Sequence, residues 1–251
     1  MHEIGSPTPR EGEPTVDARI LIMYMPASRS RANAELRTPQ SPPSADSAPG
    51  GAVPNNVLKA AEDGRLGAVR SWLNEGGKAD TLAERPSEVS GRQIPCTLLM
   101  LAAQNGHAQI VELLLKRDAD INLQTSLGTT ALSTAACCGC ERMVEMLLQH
   151  GAELNPQDSA AWSALAAAAQ GEERMVDLLL RRGAEIDRQD KDGDTALILA
   201  AACNRPAVVL RLLRAGADMT LRDEDGKTAL QLAKEEGHAE CVQAFKTYFG
   251  E

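Results

Sequence analysis

Gly106, Gly139, Gly171, Asn204 and Gly237 follow one another at spacings of 33, 32, 33 and 33 residues. Each stands after an alanine-rich stretch and before one rich in valine and leucine. Leu101-Ala102-Ala103-Gln104-Asn105-Gly106-His107 is matched by Leu232-Ala233-Lys234-Glu235-Glu236-Gly237-His238. The runs Ile110-Val111-Glu112-Leu113-Leu114-Leu115, Met143-Val144-Glu145-Met146-Leu147-Leu148 and Met175-Val176-Asp177-Leu178-Leu179-Leu180 repeat in the same frame. A unit this short cannot bury its apolar face alone, so a period of this length predicts stacking into a solenoid. A solenoid presents a long, shallow surface rather than one deep pocket.

Within a unit the residues predict two short helices, a tight turn and a hairpin-like loop. Thr130 stands before Ala131-Leu132-Ser133-Thr134-Ala135-Ala136, where its hydroxyl can accept from backbone donors left open at a helix start. After the turn at Gly139, a second helix over about 142–149 puts Val144, Leu147 and Leu148 on one face. Gly151 ends it, glycine being tolerant of the left-handed conformation at a helix C-terminus.

The first 54 residues differ in kind. They hold nine of the 13 prolines, with serine, alanine and arginine between them. So little apolar surface cannot offset the entropy of ordering, and a disordered tail is expected over 1–54, with the array over 55–251. The chain has 26 basic and 35 acidic side chains, of which the tail holds five and six, so the charge is about −8 on the array. An acidic solenoid is a poor match to phosphates, and nucleic acid is not expected as a partner. The start Met1-His2-Glu3-Ile4-Gly5 is not a secretory signal, and the apolar run 20–25 falls far short of the ~20 residues that cross a bilayer. No membrane association is expected. Six cysteines without a signal point to reduced thiols, hence to cytoplasm or nucleus.

The units resemble the ankyrin repeat. Its pattern of Gly-x-Thr-Pro-Leu-His, Ala-Ala, Gly-His, Val-x-Leu-Leu-Leu and Gly-Ala-Asp shows in Gly193-Asp194-Thr195-Ala196-Leu197, Gly226-Lys227-Thr228-Ala229-Leu230, Gly106-His107 and Gly216-Ala217-Asp218. The resemblance implies an all-α ankyrin-repeat solenoid of helix-turn-helix units with hairpin-like finger loops. It comprises five full repeats over about 92–124, 125–157, 158–189, 190–222 and 223–251, after a degenerate N-terminal capping unit over about 55–82. In place of Thr-Pro-Leu-His stand Thr97-Leu98-Leu99-Met100, Thr130-Ala131-Leu132-Ser133, Ser163-Ala164-Leu165-Ala166, Thr195-Ala196-Leu197-Ile198 and Thr228-Ala229-Leu230-Gln231. Loss of that histidine and proline leads us to expect looser fingers. One residue is missing between Ala169 and Gly171, which should tighten that turn, and about nine extra residues at 83–91 should enlarge one finger. Polar residues such as Lys59, Lys234 and Glu240 in the end units read as caps, so the array is expected to be complete.

In such arrays finger tips and first-helix ends form the recognition surface. Carried over, it comprises Gln104, Asn105, Leu127, Thr129, Cys137, Cys138, Trp162, Gln170, Lys191, Asp192, Asp194, Cys203, Glu224, Asp225 and Lys227. The strip is thiol-rich in the middle and acidic towards its C-terminal end, so a protein partner with a basic, partly apolar segment would suit it. Trp162 is the sharpest candidate, a hot-spot residue type at a position held elsewhere by Cys96, Thr129, Asp194 and Lys227. Trp72, beside Leu73, reads as core.

Catalysis finds little support. His107 and His238 recur in register, which the resemblance reads as turn bracing. The carboxylates of 190–194 and 223–225 sit in finger loops without a pocket to tune them. No phosphate-binding glycine loop, nucleophile elbow or metalloprotease motif occurs. Cys137, Cys138 and Cys140 form the one cluster that could serve a thiol-based redox or metal sensor, the alternative function. A second Cys/His pair at ligand spacing is missing. The expectation is a monomeric, non-enzymatic scaffold, adaptor or inhibitor that needs no cofactor.

Overall fold

The computed structural model describes residues 52–86, 93–156 and 163–250. Among them the chain forms α1 (Asn55–Glu62), α2 (Leu66–Asn74), β1 (Ala83–Pro86), β2 (Gln93–Cys96), α3 (Leu98–Gln104) and α4 (Ala108–Leu115). These are followed by α5 (Ala131–Cys137), α6 (Glu141–Gln149), α7 (Ala164–Ala169), α8 (Glu173–Arg181), α9 (Ala196–Ala202), α10 (Pro206–Arg214), α11 (Ala229–Glu235) and α12 (Ala239–Phe249). The odd-numbered helices pack one on the next from α1 to α11, and each is backed by the even-numbered helix of its own repeat. Among the described residues the chain is an all-α repeat solenoid with a single small hairpin.

Small side chains set the spacing of the first row. Ala60, Ala61, Ala102, Ala103, Ala135, Ala136, Ala168, Ala169, Ala200, Ala201 and Ala233 are all fully buried, so neighbouring backbones approach closely. The second row supplies bulk through Val111, Leu114, Val144, Leu147, Leu179, Val209 and Leu212, buried on one helical face. Every first helix after α1 starts on a hydroxyl. Thr97, Thr130, Ser163, Thr195 and Thr228 each accept from the backbone N–H three residues on, as anticipated for Thr130.

The turn between paired helices repeats one hydrogen bond. The N–H groups of Arg65, His107, Cys140, Arg205 and His238 donate to the carbonyls of Ala60, Ala102, Ala135, Ala200 and Ala233 at 2.8–3.0 Å. Each bond spans a left-handed residue, Gly64, Gly106, Gly139, Asn204 or Gly237, with φ between 52° and 74°. The fourth repeat, shortened by one residue, closes instead through Glu172 N–H to Ala168 O at 2.8 Å, and Gly171 has no positive φ. The expected tightening therefore consists of the loss of the left-handed residue.

Two further ladders tie repeat to repeat. On the turn side His107 Nε2 lies 2.6 Å from Glu62 O and His238 Nδ1 2.9 Å from Ala201 O, while Arg205 Nε donates to Gln170 O at 2.6 Å. The recurring histidines brace adjacent repeats. At the opposite end of the helices, side-chain oxygens of Asp80, Asn122, Asn155 and Asp187 accept from the backbone N–H of Asp120, Glu153, Glu185 and Asp218 at 2.7–2.9 Å.

The enlarged finger of the second repeat is β1–β2, paired antiparallel with Arg85 opposite Ile94 and Ala83 opposite Cys96. Residues 87–92 lie outside the described residues. Arg85, Ile94 and Cys96 are buried, and Arg85 Nε sits 3.6 Å from the Glu62 carboxylate.

Trp72 is half-buried against the edge of the core rather than inside it. Its ring occupies the space a Cβ on Gly77 would need, at 2.4 Å. We expect Gly77→Ala to displace the indole, at about 1–3 kcal/mol as for other overpacked sites. In a Trp162→Phe background the Trp72 emission should shift; an unchanged spectrum and unchanged stability would refute this packing.

Candidate functional site

The fingers build the surface. In the third, fifth and sixth repeats a side chain at the finger root folds the loop over itself. Thr125 Oγ1 accepts from Leu127 and Thr129 N–H at 3.3 Å, Asp190 Oδ1 from Asp192 and Asp194 N–H at 3.0 and 2.9 Å, and Asp223 Oδ1 from Lys227 N–H at 2.8 Å. The backbone adds a second closure, from Thr125, Asp190 and Asp223 N–H to Thr129, Asp194 and Lys227 O. Gly128, Gly193 and Gly226 supply the left-handed residue at φ of 75–76°. These three fingers are thus closed loops, contrary to the looseness expected from the missing histidine. In two repeats the residue standing in the histidine's place makes a bond of its own, since Ser133 Oγ and Gln231 Oε1 accept from Thr130 and Thr228 N–H at 3.0 and 2.9 Å.

Adjacent fingers touch. Glu224 N–H donates to Asp192 O at 2.9 Å, and Gln189 Nε2 bridges Gly193 O and Arg222 O at 2.7 and 2.8 Å. In the sixth repeat Lys227 Nζ reaches Glu235 Oε2 at 2.6 Å, so a finger and the end of its first helix lie on one face.

The residues carried over from the resemblance divide by burial. Lys191, Glu224 and Asp225 are exposed; Gln104, Asn105, Leu127, Cys138, Asp192, Cys203 and Lys227 are half-buried. These form the accessible strip. Thr129, Cys137, Gln170 and Asp194 are buried, which corrects their placement as contact residues. Thr129 and Asp194 turn inward because their N–H groups close the finger, while Cys137 ends α5 in the middle of the first-helix row. Trp162 lies outside the described residues. Three positions equivalent to it, Cys96, Thr129 and Asp194, are buried.

Carboxylates dominate the C-terminal half. Asp192, Glu224, Asp225, Glu235 and Glu236 are exposed or half-buried there, against Lys191, Arg222, Lys227 and Lys234. At the finger root, burial pushes the Asp190 carboxyl above its ordinary value despite the N–H bonds to Oδ1. A carboxylate whose folded pKa is raised keeps its proton to higher pH in the folded chain. The stability it lends is present at low pH and falls as pH rises through the raised value. Asp190→Asn keeps the Oδ1 acceptor and removes that charge, so it should be neutral or stabilising at pH 7, while Asp190→Ala should cost about 1–3 kcal/mol. Urea unfolding at pH 4 and pH 7 checks this; a destabilised Asn variant with wild-type pH dependence would refute it.

The cysteine cluster lacks the setting of a reactive thiolate. Cys137 is buried, and Cys140 is pushed above its usual range by burial first, then by Cys138 and Glu172. Among the described residues no group of three or more His, Cys, Asp or Glu side chains is placed to hold a metal ion. Nor, among them, is any helix long and apolar enough to cross a membrane.

The sequence reading missed the Asp80–Asn122–Asn155–Asp187 ladder. Its signal was available, as one short acceptor side chain per unit a few residues after each second helix.

Comparison with known proteins places these features. A search among curated proteins finds no match. A solved complex of the Bd0816 predatory endopeptidase from Bdellovibrio bacteriovorus with the immunity protein Bd3460 contains a chain similar to this one. The TM-score is 0.59 at 26% identity, over 77% of this chain and 98% of that one. The human ASB11 ankyrin repeat domain shares the fold at a TM-score of 0.62 and 24% identity, over 78% of this chain and 84% of that one. The family described as ankyrin repeats (3 copies) matches residues 57–158 and 160–249. With the stacked helix pairs, the left-handed turns and the bracing histidines, that match decides the matter: the chain belongs to the ankyrin-repeat family.

Proposed function

We propose that this protein is a non-enzymatic protein-interaction module, a scaffold, adaptor or inhibitor, that holds a partner against its fingers and first-helix ends. The observation that carries the reading is the accessible face of the fifth and sixth repeats, from Lys191 and Asp192 to Glu224 and Asp225, where bonds join one finger to the next. A repeat family fixes a scaffold, while exposed side chains fix the partner. Here those side chains favour a basic segment with some apolar character. The complex containing an immunity protein, to which the chain is similar, supports a protein as the partner class. None of the six cysteines is joined in a disulfide, which supports work in a reducing compartment, cytoplasm or nucleus. We take the working form to be a monomer.

The test is affinity capture from the native cell with the full chain, compared with Asp192→Lys plus Glu224→Lys. Both side chains project from closed fingers, so the variant should fold normally. Loss of the captured protein is the expected result; equal recovery would remove this face from the mechanism.

A further inference from the structure

The accessible strip is unequal along its length. At its N-terminal end the β1–β2 hairpin roofs the first-helix row: Arg85, Ile94 and Cys96, with Gln104 and Thr134, enclose a cavity of only about 20 Å³. From the fifth repeat onward the fingers and first-helix ends instead present Asp192, Glu224, Asp225, Glu235 and Glu236, of which Glu224, Asp225 and Glu235 are exposed, with Glu224 and Asp225 side by side on one finger.

We propose that residues 19–37 of this same chain occupy the face of the fifth and sixth repeats, an inference that rests on the binding reading of the face. This segment has the complementary chemistry. An apolar run at 20–25 is followed by Arg29, Arg31 and Arg37, and with Arg19 and Glu35 the segment carries about +3 on a chain of −9. Guanidinium groups are pure donors and match the exposed carboxylates. The chain is also long enough. Residues 38–52 can span up to about 50 Å. First helices stack about 8–10 Å apart, so the row from α1 to α9 is on the order of 40 Å. Tethering gives the segment a local concentration of about millimolar, so modest complementarity suffices to fill the face. A partner then has to displace the tail, which makes the tail an internal competitor.

The probe is a labelled peptide of residues 19–37 titrated into the full chain and followed by anisotropy. In the full chain carrying Arg29→Glu, Arg31→Glu and Arg37→Glu the face is vacated. If the tail holds it nine-tenths of the time, the peptide should bind that variant about tenfold tighter than wild type. Adding Glu224→Lys and Asp225→Lys should abolish the binding, with an unchanged circular dichroism spectrum as the folding control. Equal affinity for wild type and the arginine variant, binding that survives the Lys substitutions, or no binding to either protein would overturn the proposal. Partner capture that succeeds while the peptide fails leaves the binding function standing and removes only the internal competitor.

Discussion

Replacing Phe245 by alanine should cost about 3–5 kcal/mol, the usual range for a fully buried phenylalanine. Among the described residues it is the only fully buried aromatic ring, 1% exposed, seated where α12 packs on α10 and α11. It belongs to the same apolar core as Leu212, Leu232 and Cys241, which are themselves fully buried. Whole-domain stability is about 5–15 kcal/mol, so a loss of this size removes much of it. It should also be local, since each repeat leans only on its neighbours. Hydrogen exchange should show α11 and α12 opening first while α3 and α5 stay protected. A cost below about 1 kcal/mol, or uniform loss of protection along the array, would refute this account.

The second large effect concerns two glycines with different backbone demands, one in a finger and one in a turn. Gly193 sits at φ of 76°, and a Cβ there would meet Asp223 and Glu224 backbone atoms at 3.1 Å. The left-handed conformation alone costs a non-glycine residue about 1–2 kcal/mol. Backbone of the next finger cannot step aside as a side chain can, so Gly193→Ala should lose about 2–4 kcal/mol and part the fifth and sixth fingers. Gly171, in the shortened turn, needs no left-handed conformation, and its added methyl would meet only the Arg205 guanidinium at 3.3 Å. Gly171→Ala should therefore cost under about 1 kcal/mol. Chemical denaturation of both variants tests the contrast; equal losses would mean that the missing residue left the turn unchanged.

These two glycines also show how far the sequence could be read. Period and residue type were enough for the helix pairs, the cap at Thr130 and the shortened turn, because each depends on contacts at fixed offsets, while the bracing role of His107 and His238 came from the family resemblance. Burial in the fingers was not legible. Thr129 and Asp194 stand at positions that look like finger tips, yet a backbone closure to Thr125 or Asp190 turns them inward. The closure depends on a hydroxyl or carboxylate four residues earlier, a pairing that apolar periodicity does not reveal. Gln170 was likewise read as surface and is buried.

The ladder of Asp80, Asn122, Asn155 and Asp187 has a mechanical consequence. Each rung joins one repeat to the next through a short side chain, so tension between the chain ends falls on the rungs one after another. A rung that breaks frees the chain between its two residues. The rungs are 31, 30 and 31 residues apart from Asn122 to Asp218, but 40 from Asp80 to Asp120, because that interval holds the hairpin. At 3.3–3.6 Å per residue, stretching the array should release steps of about 100–110 Å and one of about 130–145 Å. The repeat with the inserted finger would thus mark its own place in a force trace.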